Sequence, residues 1–129
     1  MRPKNVMYFT EDEEELANLL VRVGLKRNVA RVLVFLSHHP EATSREIERG
    51  TDLRQPEVSL AMAAMMEQEW VENREVKAEN KGRPVKIYRL SQPFGEIVDG
   101  IEKEKREEAK TQLSIIQKIL NDLKNLGLL

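Results

Sequence analysis

The stretch TSREIERGTDLRQPEVSLAMAAMMEQEWVENREVKAENKGRPVKIYRL, Thr43 to Leu90, decides the fold. It opens on Thr43-x-x-Glu46, a capping box in which the hydroxyl takes an orphan amide and the carboxylate reaches back to the cap. The short helix behind it carries Ile47 and is expected to close at Gly50, a residue able to take positive φ at a C-cap. Thr51-Asp52-Leu53 makes the turn. Pro56 suits the first position of a new helix, where its missing N–H costs nothing. That helix is predicted over about residues 55–68, with Val58, Ala61, Met62 and Met65 turned inward. Glu57, Ser59, Leu60, Ala63 and Glu67 fall mostly on its other faces. Trp70-Val71 begins a strand running to about Ala78, Asn80-Lys81-Gly82 supplies turn chemistry, and Val85 to Leu90 returns. Two helices followed by a hairpin with the basic tip Lys81-Gly82-Arg83-Pro84 describe a winged helix-turn-helix. The expected class is mainly α with a small antiparallel β-hairpin (α+β).

Working outward toward the N-terminus, Thr10-x-x-Glu13 is a second capping box. The acids of Glu11-Asp12-Glu13-Glu14-Glu15 suit the positive end of a helix dipole. Leu16, Leu19, Leu20 and Val23 repeat at helical spacing behind them, and Gly24 is a stop. A further helix is predicted from about Lys26 to Ser37. Val29, Val32, Leu33 and Leu36 make one face and Val34 and Phe35 widen it, so this is a central helix. Pro40 ends it.

Toward the C-terminus, Pro93 starts a long helix, roughly Phe94 to Leu126. Phe94, Ile97, Val98 and Ile101 are expected to pack on the globular body, whereas Glu102 to Glu108 contains no apolar residue and reads as solvated. Ala109, Ile116, Ile119, Leu123 and Leu126 then recur at spacings of seven, three and four, flanked by Leu113 and Leu120. That stripe needs a partner, and a second copy of itself as a coiled coil is the economical one. The expected organisation is a winged-helix domain over 1–92 and a dimerisation helix over 93–129.

Composition narrows the function. The chain has 129 residues, of which 40% are apolar and 33% charged, with a net charge of -1. It is therefore a folded protein but not a polycation, and a nucleic-acid binder with this balance must separate its charges. It does so in sequence: between Lys77 and Arg89 five cations (Lys77, Lys81, Arg83, Lys86, Arg89) face one acid, Glu79. There is no cysteine, which removes disulfides, thiolate catalysis and cysteine-based zinc sites. No apolar run approaches the roughly 18 residues of a membrane span, and no hydrophobic signal region follows the basic Met1 to Asn5. A cytoplasmic location is expected, and the richness in Glu, Lys and Arg fits a thermophile.

The segment from about Lys26 to Leu90 resembles the archaeal and bacterial winged-helix regulators of the MarR, ArsR and TrmB-like group, most closely the small archaeal ones. The resemblance rests on Thr43-Ser44-Arg45-Glu46-Ile47, on Leu53-Arg54-Gln55-Pro56-Glu57-Val58-Ser59, on Trp70-Val71 and on Lys81-Gly82-Arg83-Pro84-Val85-Lys86-Ile87-Tyr88-Arg89-Leu90. It implies a double-stranded DNA partner, with Arg54, Gln55 and Ser59 facing the major groove and Arg83 in or beside the minor groove. The candidate contact set is Thr43, Ser44, Arg45, Arg54, Gln55, Pro56, Ser59 and Leu60 with Lys81, Gly82, Arg83 and Lys86 of the wing, residues 79–84 forming its tip. One departure stands out. Where such regulators often carry Arg, His or Lys after the serine, this chain has Leu60, and Ala63 lies one turn on. Apolar contact with thymine methyls would suit those residues, as would a protein partner, which makes a protein-interaction module the rival reading.

Other constellations read as structure. His38 and His39 diverge by about 100° on a helix and lack a third ligand, so no metal site is expected. Met62, Met65 and Met66 are core filler, with Met66 partly exposed. Trp70 packs where strand meets helix. No nucleophile-base pair, phosphate-cradling glycine loop or paired-carboxylate site is present, so neither enzymatic activity nor a cofactor is expected, and no residue marks an effector.

Overall fold

The computed structural model describes residues 9–77 and 83–129. In chain order the elements are α1 (Glu11–Arg22), α2 (Arg27–His38), β1 (Ala42–Thr43), α3 (Ser44–Thr51), α4 (Gln55–Glu67), β2 (Val71–Lys77), β3 (Pro84–Leu90) and α5 (Phe94–Asn125). The chain divides after Phe94 into a winged-helix unit and a helical one.

The central helix is central. Every residue of α2 from Val29 to Leu36 is buried, and α1, α3, α4 and β3 pack around it. They contribute Ala17 and Leu20 from α1, Ile47 from α3, and Val58, Ala61, Met62 and Met65 from α4. One member of the buried run is a cation. Arg31 donates through Nε to the Thr51 carbonyl at 2.9 Å and through Nη1 to Glu14 at 2.7 Å, with its guanidinium carbon 4.3 Å from the centre of the Phe9 ring. Burying an arginine demands such compensation. Among the described residues no buried side-chain nitrogen or oxygen lacks a partner.

Three features of the sequence reading take their final form in the structure. Helix α1 does not bury its Leu16, Leu19, Leu20 and Val23 line as a set: Glu13, Ala17 and Leu20 are buried, Leu16 is half-buried, and Leu19 and Val23 are exposed. The reason is the capping box. Thr10 N donates to Glu13 Oε1 at 2.7 Å, and the other Glu13 oxygen meets His38 Nδ1 at 2.6 Å. The face carrying Glu13 is thereby turned to α2, and small Ala17 allows close approach.

Gly50 does not cap α3. The helix continues to Thr51 and Asp52 takes the left-handed conformation, φ 57°. Gly50 is instead buried against α2: a Cβ built on it would lie 2.0 Å from Phe35 Cε1. Glycine is there for proximity, not for backbone freedom.

The hairpin is a three-stranded sheet in the order β1-β3-β2. Two residues, Ala42 and Thr43, pair antiparallel with Tyr88 and Ile87, and β2 pairs with β3 from Val71↔Leu90 to Lys77↔Pro84. Trp70 precedes β2 and is half-buried. Val71 is buried at the base of the sheet, while Val76 and Val85 pair across strands and stay exposed.

Helix α5 is a single run of 32 residues. Its charged middle is held by pairs along the helix, Arg106 with Glu102 at 2.8 Å and Lys105 with Glu108 at 3.2 Å, each adding a few tenths of a kcal/mol at most. Beyond it Leu113, Ile115, Ile116, Ile119, Leu120 and Leu126 are exposed, as is Ala109, with Leu123 half-buried.

Candidate nucleic-acid interface

Helix α4 presents two different surfaces: four of its apolar residues turn to the core, while Leu60, Ala63 and Met66 stay outside with the polar ones. Val58, Ala61, Met62 and Met65 face the core, leaving Arg54, Gln55, Pro56, Ser59, Leu60 and Ala63 exposed at and beyond its first turn. The start of the helix is closed from within: Arg54 N donates to Glu57 Oε1 at 2.8 Å. Pro56 occupies the second helical position rather than the first, since α4 starts at Gln55, and at either place the missing N–H is harmless. The Gln55 amide donates to Ser59 Oγ at 2.8 Å, one turn along the same exposed face. Leu60 is 71% exposed, a large apolar side chain held out by the helix.

The preceding helix contributes less. Thr43 is committed to structure: its hydroxyl accepts from Glu46 N at 3.2 Å and its own N–H donates to Glu46 Oε1 at 2.8 Å. Ser44 is half-buried and Arg45 exposed at the start of α3.

On the wing, Arg83 and Lys86 are exposed on or just before β3 and Lys77 lies opposite at the end of β2. Lys81 and Gly82, expected at the tip, lie outside the described residues. Two strand cations are not free charges. Register sets Glu72 opposite Arg89, and Arg89 Nε donates to Glu72 at 2.6 Å. Arg74 holds Glu41 through two hydrogen bonds from Nη2, at 2.9 and 3.1 Å. Counting Arg89 among the available wing cations, as the sequence suggests, overstates them. Arg74 and Arg89 stay exposed but carboxylate-paired, and Lys86 stands opposite Glu75 in the register, so Lys77 and Arg83 are the cations nearest the tip among the described residues of the hairpin.

Acid chemistry away from this face is also structural. Glu13 is subject to burial, which favours its neutral form. The Thr10 N–H and then His38 oppose that and outweigh it, so its carboxyl titrates below the ordinary 4.5. His39 stacks on Phe35 with ring centres 4.1 Å apart. Among the described residues no three His, Asp or Glu side chains cluster as a metal site, and no helix is long and apolar enough to cross a membrane.

A model of the MarR family matches residues 23–82. No curated protein matches the chain. Among solved structures, a possible transcriptional regulator from Methanosarcina mazei is similar at 16% identity and a TM-score of 0.62, over 84% of this chain and 86% of that one. TrmBL2, an archaeal chromatin protein described with a novel mode of DNA binding, is similar at 17% identity and a TM-score of 0.69, over 88% of this chain but 41% of its own length. The transcriptional regulator PA4135 is similar at 18% identity and a TM-score of 0.50, over 89% of each chain. At such identities these likenesses establish the fold: a MarR-like winged helix, mostly helical, with a small three-stranded antiparallel sheet and a long C-terminal helix.

Proposed function

We infer that this chain, whose residues 23–82 match a model of the MarR family, is a non-enzymatic, sequence-specific regulator of transcription that binds double-stranded DNA as a homodimer. The observation that carries the reading is the composition of the exposed face of α4. In a helix-turn-helix the start of the second helix meets base edges in the major groove. Here that start displays Arg54, Gln55 and Ser59 while every large apolar residue but Leu60 and Met66 points inward. Arg83 and Lys86 on the wing then meet the minor groove or the backbone, a role the sequence also assigns to Lys81 and Gly82, and Arg45 meets phosphate.

Dimerisation falls to α5. Its stripe of Leu113, Ile116, Ile119, Leu120 and Leu126 is exposed along a continuous helix, with Ala109 and Leu123 in the same repeat, and a second copy offers a matching surface. A cytoplasmic location follows from the DNA partner.

A gel mobility shift against a pool of genomic fragments tests the reading. Retardation that weakens with salt, at a slope of about -0.9 in log K per phosphate neutralised, supports it. The exposed Leu60 and Ala63 favour one second reading, a protein-interaction module. Absence of any shifted fragment at low salt, or binding indifferent to salt, would favour that module.

A further inference from the structure

We propose that Gln55 reads adenine in the major groove, and that Ser59 is the positioning residue that sets it to do so. The proposal rests on α4 being the DNA-reading helix. Gln55 is the first residue of α4 and Ser59 stands one turn later on the same exposed face. Its amide nitrogen donates to Ser59 Oγ across 2.8 Å.

That contact changes what the amide can recognise. A free glutamine amide carries two N–H donors and a carbonyl acceptor. With one N–H spent on Ser59, it offers outward one donor and one acceptor. Adenine's major-groove edge is the complement: N7 accepts and the N6 amino group donates. Guanine presents two acceptors there, which would leave the Gln55 carbonyl facing an oxygen. Cytosine offers a donor alone, and thymine an acceptor beside a methyl group. Adenine is thus the one base whose edge satisfies both remaining groups.

The tether also acts before any duplex arrives. An exposed glutamine samples many rotamers, and fixing it on binding costs entropy. Ser59 confines the amide to the face it reads from. The contact is local to one turn of α4, and both side chains are exposed, so removing either leaves the core of Val58, Ala61, Met62 and Met65 intact.

The test is selection from a random duplex pool with the full chain and with Gln55→Ala, Ser59→Ala and Ser59→Thr. The unaltered chain should show one adenine per half-site preferred by roughly five- to a hundredfold. Gln55→Ala should lose that preference. Ser59→Ala should weaken it, while Ser59→Thr, which keeps the hydroxyl, should restore it; a merely structural serine would not alter preference at one position alone. Replacing the adenine by 7-deazaadenine, which deletes N7, should weaken binding of the unaltered chain and leave Gln55→Ala indifferent. The proposal is overturned if selected sites are unchanged by Gln55→Ala, if Ser59→Ala keeps the full preference, or if the Gln55-dependent position is guanine. Enrichment of no duplex at all by the unaltered chain overturns the DNA reading beneath it as well, which distinguishes the two failures.

Discussion

Replacing Gly50 by alanine should damage the helix-turn-helix, although alanine is the better helix former. The added methyl would sit 2.0, 2.6 and 2.8 Å from three ring carbons of Phe35, where ordinary contact begins at 3.4 Å. Ring or helix must therefore give way by about 1.4 Å, the difference between 3.4 and 2.0 Å. Phe35 has little room to do so, being 1% exposed and stacked on His39. Overpacking of this kind costs about 3 kcal/mol or more at such short distances, and the gain in helix propensity returns about 1 kcal/mol. A net loss of about 2 kcal/mol should lower the melting temperature by on the order of 10 °C, read by calorimetry or by circular dichroism with urea titration. Gly100→Ala is the internal control. Nothing lies within 4 Å of a Cβ there, so the same substitution inside α5 should stabilise by about 0.5–1 kcal/mol. Phe35→Leu should relieve Gly50→Ala in a double-mutant cycle by more than about 1 kcal/mol. A Gly50→Ala protein as stable as the parent, or more stable, would refute the close approach and return Gly50 to the role of a simple helix terminator.

Three further outcomes are expected. Ile116→Lys with Leu123→Lys should yield a folded monomer in sedimentation velocity, since the stripe then carries like charges on both copies; a persistent dimer would place the interface elsewhere. Glu13 titrates below its ordinary 4.5 in the folded chain, so its contribution is fully present above the unfolded value and is lost as the pH falls through the folded one. Urea midpoints of the parent should therefore fall below about pH 4.5, and Glu13→Gln should flatten that part of the profile; equal acid slopes in the two proteins would contradict the arrangement. Arg31→Met strips the charge that serves the Thr51 carbonyl from inside α2 and should cost about 1–3 kcal/mol in denaturant unfolding. Glu14→Gln, at a half-exposed partner, should cost less than about 1 kcal/mol, and the reverse order would show that the salt bridge rather than the carbonyl contact holds Arg31.

The helices were legible because their signals are local. Capping boxes at Thr10 and Thr43, the apolar face of α2 and the buried line Val58, Ala61, Met62 and Met65 of α4 are each written within a dozen residues, and each has a physical cause that tertiary contacts did not override. What escaped depends on partners distant in sequence. Strand β1 is two residues long and has no alternation to display; it exists because Ile87 and Tyr88 offer an edge. Arg31 sits inside an apolar run and looks like an interruption, until Glu14 and Thr51 arrive from either side. Gly50 reads as a stop in one dimension and as a contact surface in three. For the candidate site, the residue types at the start of α4 were readable from the motif's spacing. The loss of Arg74 and Arg89 to carboxylates was not, because it follows from strand register and from Glu41, 33 residues before Arg74.

Thr43 belongs to two structures at once: its backbone pairs with Ile87 of β3 and its side chain closes the first turn of α3. Sheet and helix pair thus share a joint with no slack residue between them. On the proposed DNA reading, the number of base pairs from the step met by α4 to the step met by the wing would be fixed by the protein rather than negotiated by a flexible arm. Operators should tolerate substitution within that interval far better than insertion or deletion of a single pair. Lengthening the chain between Thr43 and Ser44 by one residue should blur that spacing rule without rewriting which bases are chosen.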